Sequence, residues 1–292
     1  MEKAPERSVH LAIFYVDGSF VQSDKAVIPV DDLAVLRGIG VWDLMRTFQG
    51  RPYFLKEHLE RLEQSARSMN LVFKWQIDEL EAIVLETLDR NRDVDEANIR
   101  IIITGGSSTD FMTHQGNPRL LVLITQIPPL PREWYSKGVK VITVNQEREV
   151  PEAKSLAYIP AALAQNKAKS LGGVEALYVS RDGLVTEGTT SNLFAVLDGV
   201  LITPADRVLK GITRKAILSL AEKFMDVELR SIPLTALLSA EEVFITGTNK
   251  GVVPVVRVND TTIGDGTIGD KTRQIIKALD QYTLQFKKGK TA

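Results

Sequence analysis

The sequence contains no cysteine and only three histidines among its 292 residues. The absence of cysteine excludes disulfide scaffolds, zinc sites with cysteine ligands, iron–sulfur clusters and a thiolate nucleophile. The three histidines, His10, His58 and His114, are far apart in the sequence, so a histidine-rich metal site or a histidine-based nucleophilic triad has little to be built from. We therefore expect no metal site, and we expect any demanding chemistry to use a bound cofactor.

The chain also lacks an excess of charge of either sign and lacks long apolar runs. Its 36 Lys and Arg face 37 Asp and Glu, a formal net charge of −1, which leaves no basic footprint for nucleic acid. No segment reaches the ~18 continuous apolar residues that span a bilayer. The first ten residues, MEKAPERSVH, lack the apolar core of a signal peptide. The sequence thus predicts a cytoplasmic protein that binds neither nucleic acid nor membrane.

The apolar content is sufficient for two domains. The chain is 44% hydrophobic, and domains most often contain roughly 100–150 residues. Residues 127–131 read Ile-Pro-Pro-Leu-Pro, and such closely spaced prolines stiffen the backbone and remove donors from a strand ladder. We predict an N-terminal domain over residues 1–126, a proline-rich linker over residues 127–134 and a C-terminal domain over residues 135–292.

Strand and helix patterns are mixed along the chain. Asp-Gly pairs at residues 17–18 and 198–199 are hairpin signatures. Frequent hairpins among helices favour an α/β protein of the α+β-like kind, with mixed sheets, over a doubly wound parallel sheet. The basic tail at residues 287–290 is predicted to be solvated and frayed. Periodicity predicts strands over residues 41–48, 99–104, 120–125, 139–144, 176–179, 193–197, 243–246 and 252–258, and helices over residues 57–69, 80–88, 159–171, 213–224 and 271–284.

Lys154 lies in the sequence Pro-Glu-Ala-Lys-Ser-Leu, between a predicted strand and a predicted helix. Loops of this kind are where a scaffold presents reactive groups. A single lysine is nevertheless most often a solvated surface charge, so Lys154 taken alone establishes no function.

Two segments have the composition of phosphate-binding cradles. Gly-Ile-Thr at residues 211–213 precedes a helix pattern that begins near Arg214, and a helix N-terminus offers free N–H groups and the positive end of the helix dipole. Thr-Gly-Thr-Asn at residues 246–249 follows a predicted strand. The simpler alternative for the first segment is that Thr213 only caps the helix. Two cradles together carry more weight than either alone.

A single acid, Glu187, lies in the sequence Val-Thr-Glu-Gly-Thr-Thr-Ser-Asn at residues 185–192, which we expect to form a polar loop. Neighbouring hydroxyls can hold a carboxylate ionised by hydrogen bonds, so that it can pair with a cationic ring nitrogen. An ordinary turn rich in Ser, Thr and Gly is the alternative interpretation.

The order and spacing of these segments resemble those of the class IV, fold-type IV pyridoxal-phosphate enzymes. The resemblance extends over nearly the whole chain, and it implies two domains with pyridoxal 5′-phosphate between them and a homodimer. The family includes branched-chain aminotransferases, D-amino-acid aminotransferases and aminodeoxychorismate lyases. The segments that carry the resemblance are E-H-L-E-R-L at residues 57–62, Lys154, V-T-E-G-T-T-S-N at residues 185–192, K-G-I-T-R at residues 210–214 and T-G-T-N at residues 246–249.

The same resemblance implies roles for individual residues. Lys154 would bind the cofactor aldehyde covalently and later carry the proton. Glu187 would accept a hydrogen bond from the pyridine nitrogen and keep it protonated, so that the ring acts as an electron sink. Tyr158 would approach the ring hydroxyl of the cofactor. The phosphate would be bound by Arg61, Ile212, Thr213 and Thr248.

The substrate is less well defined, because the chain departs from better-known members of the family. Branched-chain enzymes usually have F-E-G-I-R where residues 42–46 read W-D-L-M-R, and the loop at residues 105–110 lacks the arginine and histidine of the usual D-alanine type. Arg37 and Arg100 are similar to an arginine pair with which a less usual group of D-amino-acid aminotransferases binds substrate carboxylates, the first arginine crossing the dimer interface. A surface position is the alternative for Arg37.

Arg100 lies in an otherwise apolar strand pattern. A buried charge is costly unless it is paired, so Arg100 meets either an internal acid or a ligand carboxylate. Trp42 and Leu44 share one face of a predicted strand and could line a side-chain pocket, although a core position suits Trp42 equally well. Asn249 is a further candidate for substrate binding.

From these residues we expect a transaminase that exchanges an amino group between an amino acid and a 2-oxo acid, either 2-oxoglutarate or pyruvate. D-alanine and D-glutamate are slightly favoured as donors. Branched-chain L-amino acids are the alternative, and a lyase acting on aminodeoxychorismate is a third hypothesis. A protein that keeps the fold without the reaction is disfavoured, because Lys154 and Glu187 are both present.

Overall fold

The computed structural model describes residues 11–288, which form two β-sheets covered by helices. The first ten residues, for which the sequence predicted no signal peptide, lie outside the described residues with His10, as do residues 289–290 of the predicted frayed tail. The α-helices are α1 (Leu33–Arg37), α2 (Leu55–Ser68), α3 (Ile77–Asp89), α4 (Glu133–Ser136), α5 (Ile159–Ser170), α6 (Ile212–Ala221), α7 (Leu234–Leu238) and α8 (Asp270–Lys287). The strands are β1 (Ile13–Val16), β2 (Ser19–Gln22), β3 (Gly40–Phe48), β4 (Arg51–Pro52), β5 (Ala97–Thr104), β6 (Leu120–Gln126), β7 (Val139–Asn145), β8 (Glu175–Val179), β9 (Leu184–Gly188), β10 (Asn192–Leu197), β11 (Val200–Thr203), β12 (Val227–Leu229), β13 (Ile232–Pro233), β14 (Glu242–Gly247), β15 (Gly251–Val258) and β16 (Thr261–Thr262).

The first sheet has six antiparallel strands in the order β2-β1-β6-β5-β3-β4. Asp17 and Gly18 both have positive φ and close the predicted β1–β2 hairpin, as a two-residue primed turn requires. One face of the sheet is covered by α2 and α3, and apolar residues alternate along β5 toward that face. The resulting core contains Met45, Leu59, Leu62, Leu80, Val84, Ile99, Ile101 and Val122, all of them fully buried.

The second sheet is mixed and begins with β7. Its strands follow the order β12-β11-β10-β14-β15-β7-β8-β9-β13, with β16 paired to β15. The six strands β10-β14-β15-β7-β8-β9 form a closed ring, because β9 also pairs with β10. Apolar side chains fill this ring. Pairs β15–β7 and β7–β8 are parallel. Helices α6 and α8 pack on Phe194 and Phe244 at one side of the ring, whereas α5 packs near Tyr178 at another.

The chain passes from the first sheet to the second between Gln126 and Val139. The predicted linker at residues 127–134 lies within this stretch, and α4 begins inside it at Glu133. The linker and the division into two domains stay predictions. The second half also returns to the first sheet. Trp42 N–H donates to Lys154 O at 2.9 Å, and Leu156 N–H donates to Gly40 O at 2.9 Å. Residues 154–156 therefore run along the free part of β3, and this fixes the predicted reactive lysine between the two sheets.

The predicted fold class is confirmed, and the predicted long elements are present within a few residues of their expected limits. Three local expectations were wrong. Glu187 lies in strand β9 and not in a loop, because β8 and β10 both pair with that segment. Helix α6 begins at Ile212 with Gly211 as its N-cap, so Thr213 is not a cap. Lys287 is not frayed, because it ends α8 with its ammonium 4.9 Å from the centroid of the Phe48 ring.

Within residues 11–288, no helix is long and apolar enough to cross a membrane. The same residues include no cluster of three or more His, Cys, Asp or Glu side chains that could hold a metal ion.

Candidate active site

A cavity of about 290 Å³ lies where the two sheets meet. Strands β3 and β5 form one wall, and the opposite wall is built from β9, β14 and the N-terminus of α6. Ten of the residues predicted from the sequence to form the site line this one cavity, and they are Trp42, Arg61, Arg100, Lys154, Tyr158, Glu187, Ile212, Thr213, Thr248 and Asn249.

Lys154 is held by backbone contacts that leave its ammonium free in the cavity. Its N–H donates to Ser65 Oγ of α2 at 3.1 Å, and its carbonyl accepts from Trp42 N–H. The Nζ atom lies 4.0 Å from the centroid of the Trp42 ring. Burial and the nearby positive charges of Arg61 and Arg148 lower the pKa of Lys154 to about 7. A large fraction of this lysine is therefore neutral at physiological pH and able to act as nucleophile or base.

Glu187 presents a carboxyl group to the cavity from the buried strand β9. Arg148 Nη1 donates to its Oε1 at 3.1 Å, while Leu209 N–H at 3.0 Å and Asn192 Nδ2 at 3.3 Å donate to Oε2. Burial raises the pKa of Glu187, and Arg148 opposes that effect. The carboxyl is thus fixed in position by three donors, and one of them is a cation.

Arg61 is oriented by Asp43, which is completely buried at the centre of β3. Arg61 Nε donates to Asp43 Oδ2 at 2.8 Å and Nη2 donates to Oδ1 at 2.7 Å, a bidentate pair. His58 Nδ1 lies 2.7 Å from the same Oδ1. Although burial acts against it, the charge of Arg61 and the hydrogen bonds from Arg61 and His58 hold the pKa of Asp43 well below its usual range. Burial lowers the pKa of His58. The bidentate pair means that Asp43 fixes the direction of the Arg61 guanidinium.

The N-terminus of α6 faces the cavity without a cap from any side chain in the described part of the chain. Its first N–H groups, including those of Ile212 and Thr213, have no partner within the helix. A Cβ on the N-cap Gly211 would lie 2.0 Å from Asn192 Oδ1, so only glycine fits there. The hydroxyl of Thr246 is buried beside the cavity and has no partner among the described residues. Unsatisfied donors next to Arg61 are the chemistry that a phosphate group requires.

Tyr158 and Trp42 meet edge to face, with ring centroids 5.5 Å apart. Burial raises the pKa of Tyr158, so its hydroxyl is a proton donor at neutral pH. Trp42 Nε1 donates to Ser155 O at 3.1 Å. Trp42 thus lines the cavity and does not belong to the core, which decides between the two alternatives left open by the sequence.

Arg100 lies opposite Leu44 in the β3–β5 ladder. Its side chain is exposed, because β5 turns the alternate residues Ile99 and Ile101 toward the core. In the described part of the chain it forms no ion pair, and its guanidinium carbon lies 4.5 Å from the Trp42 ring centroid. The expectation that Arg100 is buried was therefore wrong, and the internal acid offered as its partner is absent from the described residues.

Asn249 joins the two sheets, since its Nδ2 donates to Asn98 Oδ1 at 2.8 Å. Its own Oδ1 is buried and has no partner among the described residues.

Arg37 behaves differently from the other predicted residues. It ends α1, is exposed, and does not line the cavity of its own chain.

Sequence reasoning missed Asp43, His58 and Arg148 as parts of the site. Arg148 precedes Lys154 by six residues in a charged stretch and resembles a surface residue. Asp43 alternates with Trp42 and Leu44 along β3, and an acid at an inward-facing strand position is a signal that could have been used, because buried charges need partners.

Comparison with known proteins agrees with this geometry. Residues 40–258 match the model of the family described as "Amino-transferase class IV". A protein of Methanocaldococcus jannaschii, provisionally named a branched-chain-amino-acid aminotransferase, is 35% identical over 271 residues, which are 89% of this chain and 93% of that protein. The D-alanine aminotransferase of Staphylococcus epidermidis is 30% identical over 275 residues, 92% of this chain and 96% of that protein.

Solved structures show the same fold. A branched-chain amino acid aminotransferase crystallised with pyridoxamine 5′-phosphate superposes with a TM-score of 0.86 at 27% identity, covering 96% of this chain and 95% of that one. The branched-chain enzyme of Escherichia coli gives a TM-score of 0.86 at 26% identity, over 97% of this chain and 96% of that one. Class IV aminotransferases use pyridoxal 5′-phosphate. The unpaired N–H groups of α6 beside Arg61 and the free amine of Lys154 are groups that fit a phosphate and an aldehyde. The chain therefore belongs to the class IV aminotransferases of fold-type IV and is a transaminase that depends on pyridoxal 5′-phosphate.

Proposed function

We propose that Lys154 is the residue that binds the cofactor and carries the proton between substrate and cofactor. The observation that carries this proposal is a lysine whose pKa is lowered to about 7 in the cavity between the two sheets. Glu187 faces the same space and would hold the ring nitrogen, while Arg61, Ile212, Thr213 and Thr248 would hold the phosphate. When bound, pyridoxal 5′-phosphate supplies a carbonyl for the amino group and an electron-withdrawing ring that stabilises negative charge at the α-carbon.

Each side chain has a separate task in this proposal. Neutral Lys154 would take the α-proton of the substrate and deliver it to the carbon of the cofactor that carries the amino group. Glu187, held by Arg148 at 3.1 Å, would accept a hydrogen bond from the ring nitrogen and keep it protonated. Arg61, held by Asp43, would bind the phosphate and so set the position of the ring relative to Lys154. Tyr158 would donate a hydrogen bond to the ring oxygen.

Borohydride reduction of the cofactor-loaded protein tests the assignment of Lys154. Peptide mass mapping should find the reduced cofactor on the peptide that contains Lys154, and a Lys154→Ala variant should carry none. Labelling of Lys167, an exposed lysine on α5, in place of Lys154 would overturn the assignment.

The preferred substrates are amino acids whose α-carboxylate meets Arg100. Among the cations that line the cavity, Arg100 and Lys154 form no ion pair within the described residues, and both contact the Trp42 ring. Since Lys154 is assigned to the cofactor, Arg100 is left for the carboxylate. Trp42 and Leu44 line the same cavity. D-alanine and D-glutamate are the favoured donors because Arg37 and Arg100 resemble the arginine pair of D-amino-acid aminotransferases, and 2-oxoglutarate or pyruvate is the acceptor. Branched-chain L-amino acids are the second candidate, because relatives of both names cover most of the chain.

One experiment distinguishes the D-amino-acid preference from the branched-chain preference. The loaded enzyme is mixed with each enantiomer of alanine, glutamate and leucine, and the loss of the cofactor absorbance band is followed. Loss with D-alanine and D-glutamate supports the first candidate, whereas loss with L-leucine alone identifies the branched-chain activity. Release of pyruvate from aminodeoxychorismate without any amino acceptor would instead identify the lyase.

We further propose a homodimer in which Arg37 reaches the cavity of the partner subunit. Three segments expose large apolar side chains: residues 27–35, which include the start of α1, residues 111–112, and the start of α5. The first segment is tied to the loop that carries the second, because Leu33 N–H donates to Gly106 O at 2.9 Å. Exposed apolar side chains of this kind mark contact surfaces. The side chains are Val27, Val30, Val35, Phe111, Met112, Ile159 and Leu163. The cytoplasmic location expected from the sequence stays a prediction.

A further inference from the structure

Glu175, the first residue of β8, is a completely buried carboxylate next to the cavity but outside its lining. Thr189 Oγ1 donates to its Oε1, while Thr190 Oγ1 at 2.8 Å and Ser191 Oγ at 3.0 Å donate to its Oε2. Lys250 Nζ lies 2.6 Å from the same Oε2. A single carboxylate thus gathers three hydroxyls and one ammonium.

The surroundings of Glu175 favour its carboxylate form. Burial alone would raise the pKa of Glu175, but the charge of Lys250 and the hydroxyl donors hold that pKa below its usual value. Lys250 is largely buried as well, with 18% of its side chain exposed, and it also donates to Thr190 Oγ1 at 2.7 Å. Removing one partner of such a pair leaves the other desolvated and unpaired.

The two segments joined by this pair come from separate parts of the second sheet. Thr189–Ser191 follow the end of β9 and are separated from Glu187 only by Gly188, and Lys250 directly follows Thr248 and Asn249 at the turn after β14. That turn is closed by Lys250 N–H, which donates to Gly247 O at 3.1 Å. Under the proposed function, Glu187 and Thr248 hold opposite ends of the cofactor, its ring nitrogen and its phosphate.

We propose that Lys250 and Glu175 are positioning residues that fix the separation between the ring-nitrogen acceptor Glu187 and the phosphate-binding Thr248. This inference rests on the proposed cofactor-binding roles of those two residues. Lys250 lines the cavity, but its ammonium is bound to Glu175 and Thr190 Oγ1, and Glu175 lies outside the lining. In this proposal the pair acts by holding both anchors in place before the cofactor arrives, so that binding does not have to order them.

The test compares Lys250→Met with Lys250→Arg and with Lys223→Met, a control at an exposed lysine after α6. Cofactor-free proteins are titrated with pyridoxal 5′-phosphate, and amide hydrogen exchange is measured over residues 188–191 and 246–250. In Lys250→Met we expect the cofactor Kd to rise about tenfold or more and both segments to exchange faster. Lys250→Arg should restore much of the affinity, and Lys223→Met should match the unaltered protein.

Glu175→Gln should raise Kd as Lys250→Met does, and the double variant should be no worse than either single one, because both changes remove the same interaction. If Glu175→Gln fails to fold, Thr190→Val tests the same network more mildly and should accelerate exchange in residues 188–191. Unchanged Kd and exchange in Lys250→Met would overturn the proposal. So would a raised KM for the 2-oxo acid at unchanged cofactor Kd, since Lys250 would then bind substrate directly.

Failure of this inference is distinguishable from failure of the proposed function. Borohydride labelling of Lys154 in the unaltered protein reports on the proposed function alone. If labelling succeeds while Lys250→Met binds the cofactor normally, only the positioning role is wrong.

Discussion

The ammonium nitrogen of Lys154 lies 4.0 Å from the centroid of the Trp42 ring, so the reactive lysine rests against an aromatic face. Two opposing influences act on it. Burial and the charges of Arg61 and Arg148 favour the neutral amine, whereas the ring favours the ammonium form. Trp42 is itself fixed by its hydrogen bond to Ser155 O, and the contact is therefore part of the way in which the fold sets the basicity of Lys154.

The pKa of Lys154 should be visible in the pH dependence of cofactor capture. Only the neutral amine attacks the cofactor carbonyl, so the capture rate of the cofactor-free protein should rise as pH increases through about 7 and then level off. Arg148→Met removes a positive charge and should move the midpoint to higher pH, while Arg181→Met, at an exposed site, should not. Stopped-flow absorbance at a series of pH values measures this, and a midpoint near the ordinary lysine value would contradict it.

Replacing Trp42 should move the same midpoint in the opposite direction. Trp42→Leu removes an interaction worth about 0.5–1 kcal/mol with the charged lysine, which corresponds to a downward pKa shift of roughly half a unit. Trp42→Phe keeps an aromatic face and should shift the midpoint less. An upward shift in Trp42→Leu would show that the indole acts mainly by excluding water.

Asp43→Asn should weaken both the fold and cofactor binding. The change leaves Arg61 without its bidentate partner at 2.7–2.8 Å, and breaking a buried ion pair costs about 3 kcal/mol of unfolding free energy. Urea unfolding of the cofactor-free protein measures the loss, with Asp260→Asn, whose side chain is 91% exposed, as control. The pKa of Asp43 is lower in the folded protein than in the unfolded chain. Its ionised carboxylate therefore stabilises the fold at pH values above the pKa of the unfolded carboxyl, and this stabilisation is lost as the pH falls from that value through the lowered pKa of the folded state. Equal stability of both variants at neutral pH would disprove the role of Asp43.

Arg100→Leu should discriminate between substrates with and without a carboxylate. A hydrogen-bonded charge pair contributes about 1.5–3 kcal/mol, so KM for 2-oxo acids should rise at least about tenfold. Amines that lack a carboxylate should react as before. Arg92→Leu, at an exposed position before β5, is the control. An equal loss for both kinds of substrate would mean that Arg100 acts through Trp42 and not on the ligand.

The proposed dimer predicts complementation between two inactive variants. If Arg37 crosses to the partner, a heterodimer of Arg37→Ala and Lys154→Ala contains one intact site of the two. Refolding an equal mixture should therefore recover about a quarter of the original activity, because half of the dimers are mixed. Absence of recovery, with dimers demonstrated by analytical ultracentrifugation, would place Arg37 in its own chain's site or outside the site altogether.

Much of this molecule could be predicted from local patterns. Asp17-Gly18 specifies a primed turn whatever lies around it, and the apolar periods of α2 and α8 identify their buried faces without knowledge of the partners. The short strand β9 could not be predicted, because only Leu184 and Val185 of its five residues are apolar and because it exists through pairing with β8 and β10. The sequence prediction began α6 at residue 213, one residue late. Its N-cap, Gly211, packs so close to Asn192 that a Cβ would meet the Asn192 side chain, and local sequence does not show this tertiary contact.

The sequence by itself determined the kind of chemistry. The absence of cysteine and the three scattered histidines indicated a bound cofactor. The order of a lysine, a glutamate and two glycine-containing cradles resembles that of the class IV pyridoxal-phosphate enzymes, and this resemblance implied an aminotransferase. Only the tertiary structure decided what those atoms can do. Burial lowers the pKa of Lys154, Asp43 orients Arg61, and Glu175 ties Lys250 to the loop after Glu187. Desolvation and charge proximity depend on distances between residues remote in sequence, and those distances exist only once the two sheets have closed on each other.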